Sequence, residues 1–136
     1  MSKATPNSSI NTPAELLKRY AAGQRDFTGV ELSAGNLRET NLKGADLSYA
    51  DLSAADLSLA NLRGVDLSYA SLSAANLKGA DLRGAILLGT DLREALLGEA
   101  LLEEADYAPS TTYFPDGFDP TKAGMKSDDR INLIQP

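Results

Sequence analysis

The chain contains no cysteine, no histidine and no tryptophan, and only 6% of its 136 residues are aromatic. Without cysteine there is no disulfide, thiolate nucleophile or thiolate metal site, and without histidine the usual general base and commonest metal ligand is missing. Acidic residues outnumber basic ones by 19 to 13, a net charge of −6, which argues against nucleic acid or an anionic membrane as a partner. These absences remove most familiar enzyme sites and leave aliphatic side chains to build the core.

Long apolar runs are also missing. The segment from Met1 to Ile10 has no apolar stretch of the kind found in secretory signals. No part of the chain approaches the roughly 18 to 20 consecutive apolar residues that a membrane span requires. We therefore expect a cytoplasmic protein without a membrane span, and the chain length predicts a single domain.

What the chain has in excess is leucine, and the leucines are periodic. A leucine occurs at every fifth residue from Leu32 to Leu102, fifteen times without a gap, and Phe27 extends the series by one step. Alanine precedes the leucine by two residues in ten of the fifteen units, and Asp or Asn directly precedes it in ten. An internal repeat of this strictness sets the architecture before any helix or strand is considered.

A period of five fits neither regular element. On a helix, successive leucines would be about 140° apart and leave no apolar stripe, and on a strand they would alternate between faces. If the backbone instead bends once per unit, the leucine and the alanine before it both point to a common axis, and the other residues, Ser58 for example, face solvent. The pattern thus predicts a stacked solenoid whose coils are hydrogen-bonded at about 4.8 Å spacing.

Self-comparison indicates how many units form one turn. Residues 44–63 match residues 64–83 at 14 of 20 positions, whereas shifts of 5, 10 or 15 residues give 11 matches each. Four units per turn are therefore favoured. The units from Arg25 to Glu104 would then form about four coils, in a column about 19 Å tall.

The repeated unit resembles a known family. Ala45-Asp46-Leu47, Ala50-Asp51-Leu52, Ala60-Asn61-Leu62 and Ala80-Asp81-Leu82 are similar to the repeats of the pentapeptide repeat proteins. The resemblance implies an all-β solenoid, a right-handed quadrilateral β-helix with the central Leu and the preceding Ala inside. Segments 12–27 and 112–125 also resemble the flanks of such repeats in cyanobacterial members.

Both flanks have features of end covers, which a solenoid needs because its terminal coils expose apolar side chains and unpaired edges. Thr12, Pro13 and Glu15 have the spacing of a helix N-terminus, so we predict a helix from Pro13 to Ala22 over the first coil. The predicted organisation is a flexible tail over residues 1–11, a helical cap over 12–24, the repeats over 25–106, a C-terminal cap over 107–125 and a mobile tail over 126–136.

The repeat degrades toward its C-terminal end. Four apolar residues occupy outward positions there: Ile86, Leu88, Leu96 and Leu101. The following segment is rich in large apolar residues, namely Tyr107, Tyr113, Phe114, Phe118 and Met125. We expect this segment to cover the outward leucines, which predicts a monomer. The alternative is a homodimer through the C-terminal end.

The outward residues form rows at intervals of 20 residues. Asp46, Tyr49, Asp66 and Tyr69 share one face, the candidate interaction face, since tyrosine is enriched where proteins meet. A basic ladder of Lys43, Arg63 and Arg83 lies on another face. The stacked aspartates could hold a divalent cation, but short acidic side chains at a bend more commonly accept backbone N–H bonds. We predict no catalytic site, no cofactor and no metal.

The sequence therefore predicts a non-enzymatic, rigid protein–protein interaction module whose protein partner it does not identify. The resemblance suggests an alternative, since the family includes acidic members that imitate duplex DNA and bind DNA gyrase. Residues 25–104 carry 13 acidic and 7 basic side chains, a net charge of −6. Duplex DNA about 19 Å long carries about eleven negative charges. This comparison and the basic ladder weaken the DNA-mimic hypothesis.

Overall fold

The computed structural model describes residues 7–128, and within them the backbone stacks on itself at a spacing of 20 residues. Fourteen parallel single-residue bridges build the stack, of which thirteen join residue i to residue i+20, such as Asp26 to Asp46. Around that bridge, the Phe27 N–H donates to the Asp46 carbonyl and the Asp46 N–H donates to the Arg25 carbonyl, both at 2.8 Å. The bridges thus have the period that the self-comparison favours.

Longer regular elements are few among residues 7–128. Helix α1 spans Pro13–Ala21, strand β1 spans Asp106–Tyr107, and strand β2 spans Lys126–Ser127 and pairs parallel with β1. The rest of the stack consists of isolated bridges, because each unit turns directly after its bridge. In one such turn the Ala50 N–H donates to the Leu47 carbonyl at 3.1 Å.

The 20-residue repeat divides the surface of the column into four walls, one for each five-residue unit. We number the walls by their first central residue, so that walls 1 to 4 begin with Phe27, Leu32, Leu37 and Leu42. Each wall continues at every twentieth residue, and four consecutive units, one on each wall, form a coil.

The core is a column of central leucines. Leu57 and Leu77, at equivalent positions on wall 3, are fully buried together with Ala55 and Ala75. The expectation for Ser58 was wrong. Its side chain is buried because the hydroxyl donates to the Asp56 carboxylate at 2.6 Å and accepts from the Arg38 guanidinium at 2.9 Å.

Helix α1 lies against the first coil. The Thr12 hydroxyl accepts a hydrogen bond from the Glu15 N–H at 3.2 Å, and the helix ends at Ala21, one residue before the predicted end. Leu16 is fully buried in the same core cluster as Phe27. A Cβ at Gly35, on wall 3, would lie 3.1 Å from Cγ of Pro13, so the start of the helix is packed on the repeat.

The segment before α1 is packed where the structure describes it. The sequence assigned residues 1–11 to a flexible tail. Ile10 is nevertheless almost fully buried, and the Asn7 amide donates to the Thr28 carbonyl at 3.1 Å. Residues 1–6 of that predicted tail lie outside the described residues.

Aromatic packing follows the last repeat. The rings of Tyr107 and Phe114 meet edge to face at 5.6 Å, and those of Phe114 and Phe118 stack at 5.0 Å. Met125 is buried beside them in the core cluster. The chain then forms β2, where the Lys126 N–H donates to the Ala105 carbonyl at 2.8 Å, so the first two residues of the predicted mobile tail are in a strand. Residues 129–136 lie outside the described residues.

The C-terminal segment does not cover all of the outward leucines, contrary to the expectation. Leu96 and Leu101 are 52% and 40% exposed, whereas Ile86 and Leu88 are half-buried. The chain passes from Tyr113, above wall 2, to Gly124, above Glu104, and residues 114–123 make no backbone hydrogen bond to residues 95–103. The leucines between these two crossing points stay open to solvent.

Candidate functional site

The candidate interaction face lies on wall 1 and carries an aromatic pair. The rings of Tyr49 and Tyr69 stack with their centroids 5.3 Å apart and their planes 21° from parallel. They are 63% and 48% exposed. The 20-residue spacing brings the two side chains together, because each lies at the same corner of successive coils.

The residues at this corner have left-handed backbone conformations. Tyr49 and Tyr69 have φ of 62° and 60°. Gly89 follows them in the next coil with φ of 68°, and a Cβ there would lie 2.5 Å from the ring of Tyr69. The ring of Tyr69 therefore rests on the bare backbone of Gly89, which fixes the ring's position on the wall.

Asp46 and Asp66 lie on the same wall, and both shape the backbone. Oδ1 of Asp46 accepts from the Ser48 N–H at 2.9 Å and from the Ser48 hydroxyl at 2.6 Å. Oδ1 of Asp66 accepts from the Ser68 N–H at 2.9 Å. Each carboxylate thus uses one oxygen to hold its own turn, the role that short acidic side chains have at bends.

One of the three residues of the basic ladder on wall 4 is engaged in an ion pair. Arg83 binds the Asp81 carboxylate with both forks of its guanidinium, at 2.9 and 2.7 Å. That hydrogen-bonded guanidinium holds the pKa of Asp81 below its usual value. Lys43 and Arg63 are exposed and have no ion pair within residues 7–128.

Sequence reasoning missed a depression on wall 3. It has a volume of about 270 Å³ and is lined by Arg38, Ser58, Leu59, Asn76, Lys78, Gly79 and Glu99. Leu59 is half exposed and its side chain rests on the backbone of Gly79, as Tyr69 does on Gly89. The signal was present in the sequence, since Leu59 is an apolar residue at an outward position.

Four aspartates among the described residues, Asp26, Asp56, Asp81 and Asp91, have pKa values shifted away from those that proton transfer at neutral pH requires. The Ser58 hydroxyl, which donates to the Asp56 carboxylate, lowers the pKa of Asp56, and the Thr28 N–H lowers the pKa of Asp26. A general acid or base at neutral pH needs a shift in the opposite direction. Residues 7–128 contain no group of three or more acidic side chains that could hold a metal ion. None of the helices described there is long and apolar enough to cross a membrane.

One close match among the solved structures is a cyanobacterial protein. The crystal structure of alr5209, a pentapeptide repeat protein from Nostoc PCC 7120, aligns with a TM-score of 0.85 at 52% sequence identity, over 87% of this chain and 97% of that one. This match implies a right-handed quadrilateral β-helix. No curated protein matches the chain.

Two further pentapeptide repeat proteins align at low TM-scores. HetL, involved in heterocyst differentiation regulation in Nostoc PCC 7120, has 35% identity and a TM-score of 0.37, over 76% of this chain and 56% of HetL. A thylakoid lumen protein from Arabidopsis thaliana has 25% identity and a TM-score of 0.36, over 83% of this chain and 77% of that one. The family model described as pentapeptide repeats (8 copies) matches residues 26–64 and 60–98. The chain belongs to the pentapeptide repeat family.

Proposed function

We propose that this chain is a non-enzymatic interaction module that presents wall 1 to a protein partner. The observation that carries the proposal is the stacked and exposed pair of Tyr49 and Tyr69. Tyrosine offers a large apolar area together with a hydroxyl, and it is enriched among the residues that contribute most to protein–protein binding.

The backbone beneath the pair is held in place. The Tyr49 N–H donates to the Ser68 carbonyl and the Tyr69 N–H donates to the Leu88 carbonyl, both at 2.9 Å. A preorganised surface loses little conformational entropy when it binds, so more of the contact energy appears as affinity. This rigidity favours a recognition role for the wall.

The proposed architecture completes this picture. The repeats form about four coils, α1 covers the N-terminal coil, residues 107–125 cover the core at the other end, and the protein is a cytoplasmic monomer.

The partner is basic where it meets Asp46 and Asp66. Oδ2 of each of these carboxylates has no hydrogen bond to the described residues and can accept one from a partner.

The test is a comparison of two double variants. Tyr49→Ala with Tyr69→Ala should weaken binding of a partner captured by the full chain by more than about 1 kcal/mol, roughly fivefold. The melting temperature should change little, because both rings are exposed. Lys43→Glu with Arg63→Glu, on wall 4, is the control and should leave that partner bound. Loss of the partner only in the control variant would move the function to the basic ladder.

The DNA-mimic alternative predicts a different result. A protein that imitates duplex DNA should inhibit DNA supercoiling by gyrase, and reversing the charge of Lys43 and Arg63 should strengthen that inhibition by making wall 4 more negative. A supercoiling assay with the full chain distinguishes the two functions. Inhibition that depends on overall charge and not on Tyr49 and Tyr69 would overturn the proposal made for wall 1.

A further inference from the structure

The last coil has an open edge on walls 3 and 4. One coil below, the Leu77 N–H donates to the Leu96 carbonyl at 2.8 Å and the Leu82 N–H donates to the Leu101 carbonyl at 2.7 Å. The corresponding groups of the last coil have no hydrogen-bond partner within residues 7–128: the N–H groups of Leu97, Glu99 and Leu102 and the carbonyls of Ala95 and Ala100. We call residues 95–102 the open edge.

Two exposed leucines lie on the open edge in place of polar turn residues. On wall 3 the position before the central residue is Asn or Asp in the lower coils, and Oδ1 of Asn76 there accepts from the Lys78 N–H at 3.1 Å. Leu96 takes this position in the last coil, and Leu101 replaces Asp81 on wall 4. A leucine cannot accept the turn hydrogen bond, so the substitution has no benefit for the turn itself and adds exposed apolar area.

Negative charge is concentrated on the same coil. Residues 85–104 carry five acidic side chains and one basic one, whereas residues 25–44 carry three of each and residues 65–84 carry two of each. Glu94, Glu99 and Glu103 are exposed and have no ion pair among the described residues, while Glu104 pairs with Lys126 at 3.5 Å. Acidic residues thus flank the two exposed leucines along the chain, and we call Glu94, Glu99 and Glu103 the glutamate rim.

We propose that the open edge binds a basic segment of a partner protein, which follows the bend between walls 3 and 4 and pairs with the backbone of the last coil. The free N–H and carbonyl groups would pair with the backbone of that segment, Leu96 and Leu101 would contact its aliphatic side chains, and the glutamates would attract its lysines or arginines. A second copy of this chain fits less well, because it would bring an equally acidic edge against this one. The proposed surface is separate from wall 1 and does not depend on its role.

The first experiment uses a defined probe. A fluorescein-labelled peptide of about eight residues that alternates lysine and valine is about as long as the open edge and has the required charge. Fluorescence anisotropy with the full chain should show saturable binding that weakens as salt is added. The matched peptide with glutamate in place of lysine should bind at least about tenfold more weakly, since the glutamate rim repels it.

Two variants locate the binding. Leu96→Asn with Leu101→Asn restores the residue type found at Asn76 and Asn61, so the variant should fold like the natural chain and lose about tenfold in peptide affinity. Glu94→Gln, Glu99→Gln and Glu103→Gln together should remove most of the salt dependence. The variant with Tyr49→Ala and Tyr69→Ala should bind the peptide normally, which separates failure of this proposal from failure of the proposed function.

Hydrogen exchange gives a direct readout of backbone pairing at the open edge. The amide protons of Leu97 and Leu102 should exchange more slowly when the lysine–valine peptide is bound, because they become hydrogen-bonded. Unchanged exchange at these amides, or equal binding of the two peptides, would overturn the proposal. It would also fail if the full chain sediments as a dimer that the asparagine variant dissociates, since a second copy would then occupy the edge. If a chain truncated after Asp128 bound the peptide and the full chain did not, residues 129–136 would be the occupant of the edge, and the proposal would be wrong.

Discussion

The residue two positions after each central residue carries the bend of the coil. In the sixteen units from Phe27 to Leu102 this residue has φ between 58° and 75°, and ten of the sixteen are not glycine. A left-handed conformation costs a non-glycine residue about 1 to 2 kcal/mol. The turn hydrogen bond inside each unit and the ladder bonds between coils offset this cost, since a single positive φ at this position is what a type II turn requires.

Gly64 tests the cost of the left-handed conformation without a steric clash. It has φ of 65°, and a Cβ added there would meet nothing within 4 Å. Gly64→Ala should therefore lower the free energy of unfolding by about 1 kcal/mol through backbone strain alone. Gly98→Ala is the control, because Gly98 has no positive φ and a Cβ there would make only ordinary contacts. Equal effects in urea unfolding would contradict the strain argument.

Leu57 tests the burial of the central residue. Its side chain is fully buried, so Leu57→Ala should lower the free energy of unfolding by about 2 to 5 kcal/mol, through lost apolar burial and the cavity left behind. Ser33→Ala is the matched surface change, since Ser33 is exposed, and it should alter stability by less than about 0.5 kcal/mol. Thermal unfolding of the two variants measures the difference. A similar melting temperature for both would be incompatible with a leucine core.

At the scale of the elements, side chains at the corners of one coil pack against the backbone of the next coil. On wall 1 the ring of Tyr69 occupies the space that a side chain at Gly89 would need, and on wall 3 Leu59 does the same at Gly79. Glycine at these two positions therefore serves both the left-handed turn and the packing between coils. Neighbouring units of the stack are coupled by this contact as well as by their backbone hydrogen bonds.

A double-mutant cycle measures this coupling on wall 1. Gly89→Ala should cost about 1 kcal/mol more than Gly64→Ala, because the Tyr69 ring must move in addition to the backbone strain. In the background of Tyr69→Ala the added methyl group has room, and the extra cost should disappear. Urea unfolding of the two single variants and the double variant gives the coupling energy. Additive effects would mean that the ring does not pack on Gly89.

At the scale of the whole molecule, ionised aspartates stabilise the turns. The pKa is held below its usual value of 3.8 in four of them, Asp26, Asp56, Asp81 and Asp91. The Ser58 hydroxyl is the main cause at Asp56, and the Arg83 guanidinium is the main cause at Asp81. Because folding lowers these pKa values, their contribution to stability is fully present above pH 3.8 and is lost as the pH falls through the lower folded values.

The protein should therefore lose stability at acid pH. The melting temperature should be nearly constant near neutral pH and fall once the pH drops below about 4. The melting temperature of the Asp56→Asn variant should fall less steeply than that of the natural chain in that range, because asparagine does not titrate. Its side-chain oxygen can still accept the turn hydrogen bond, as Asn36 accepts from the Arg38 N–H. An equally steep fall in the variant would show that Asp56 does not contribute to the pH dependence.

Some features of the column were predictable because the repeat itself encodes them. The leucine period identified the buried residues, and the 20-residue match placed Tyr49 and Tyr69 at equivalent positions, where their rings stack. The capping pattern of Thr12, Pro13 and Glu15 predicted α1 to within one residue of its end. These inferences rely on local geometry or on strict periodicity, and both can be recognised in a single sequence.

The two errors about burial have different causes. Ser58 was assigned to solvent because its position is outward, but its burial depends on Arg38, which lies 20 residues away on the same wall. Ile10 precedes the helix and was assigned to a tail, yet it packs into the core. The 20-residue repeat brings Arg38 next to Ser58, but it does not specify the hydrogen bond by which the guanidinium covers the hydroxyl. The contact of Ile10 with the core follows from no local or periodic pattern.

The sequence by itself determined the period, the composition of the core and the family, because a unit that bends once every five residues must turn its leucine to the axis. Only the tertiary structure decided how the column ends. Whether Leu96 and Leu101 are covered depends on the path of the chain between Tyr113 and Gly124. That path is set by packing of Phe114 and the other aromatic rings against the end of the core, a non-repeating arrangement that no periodicity specifies.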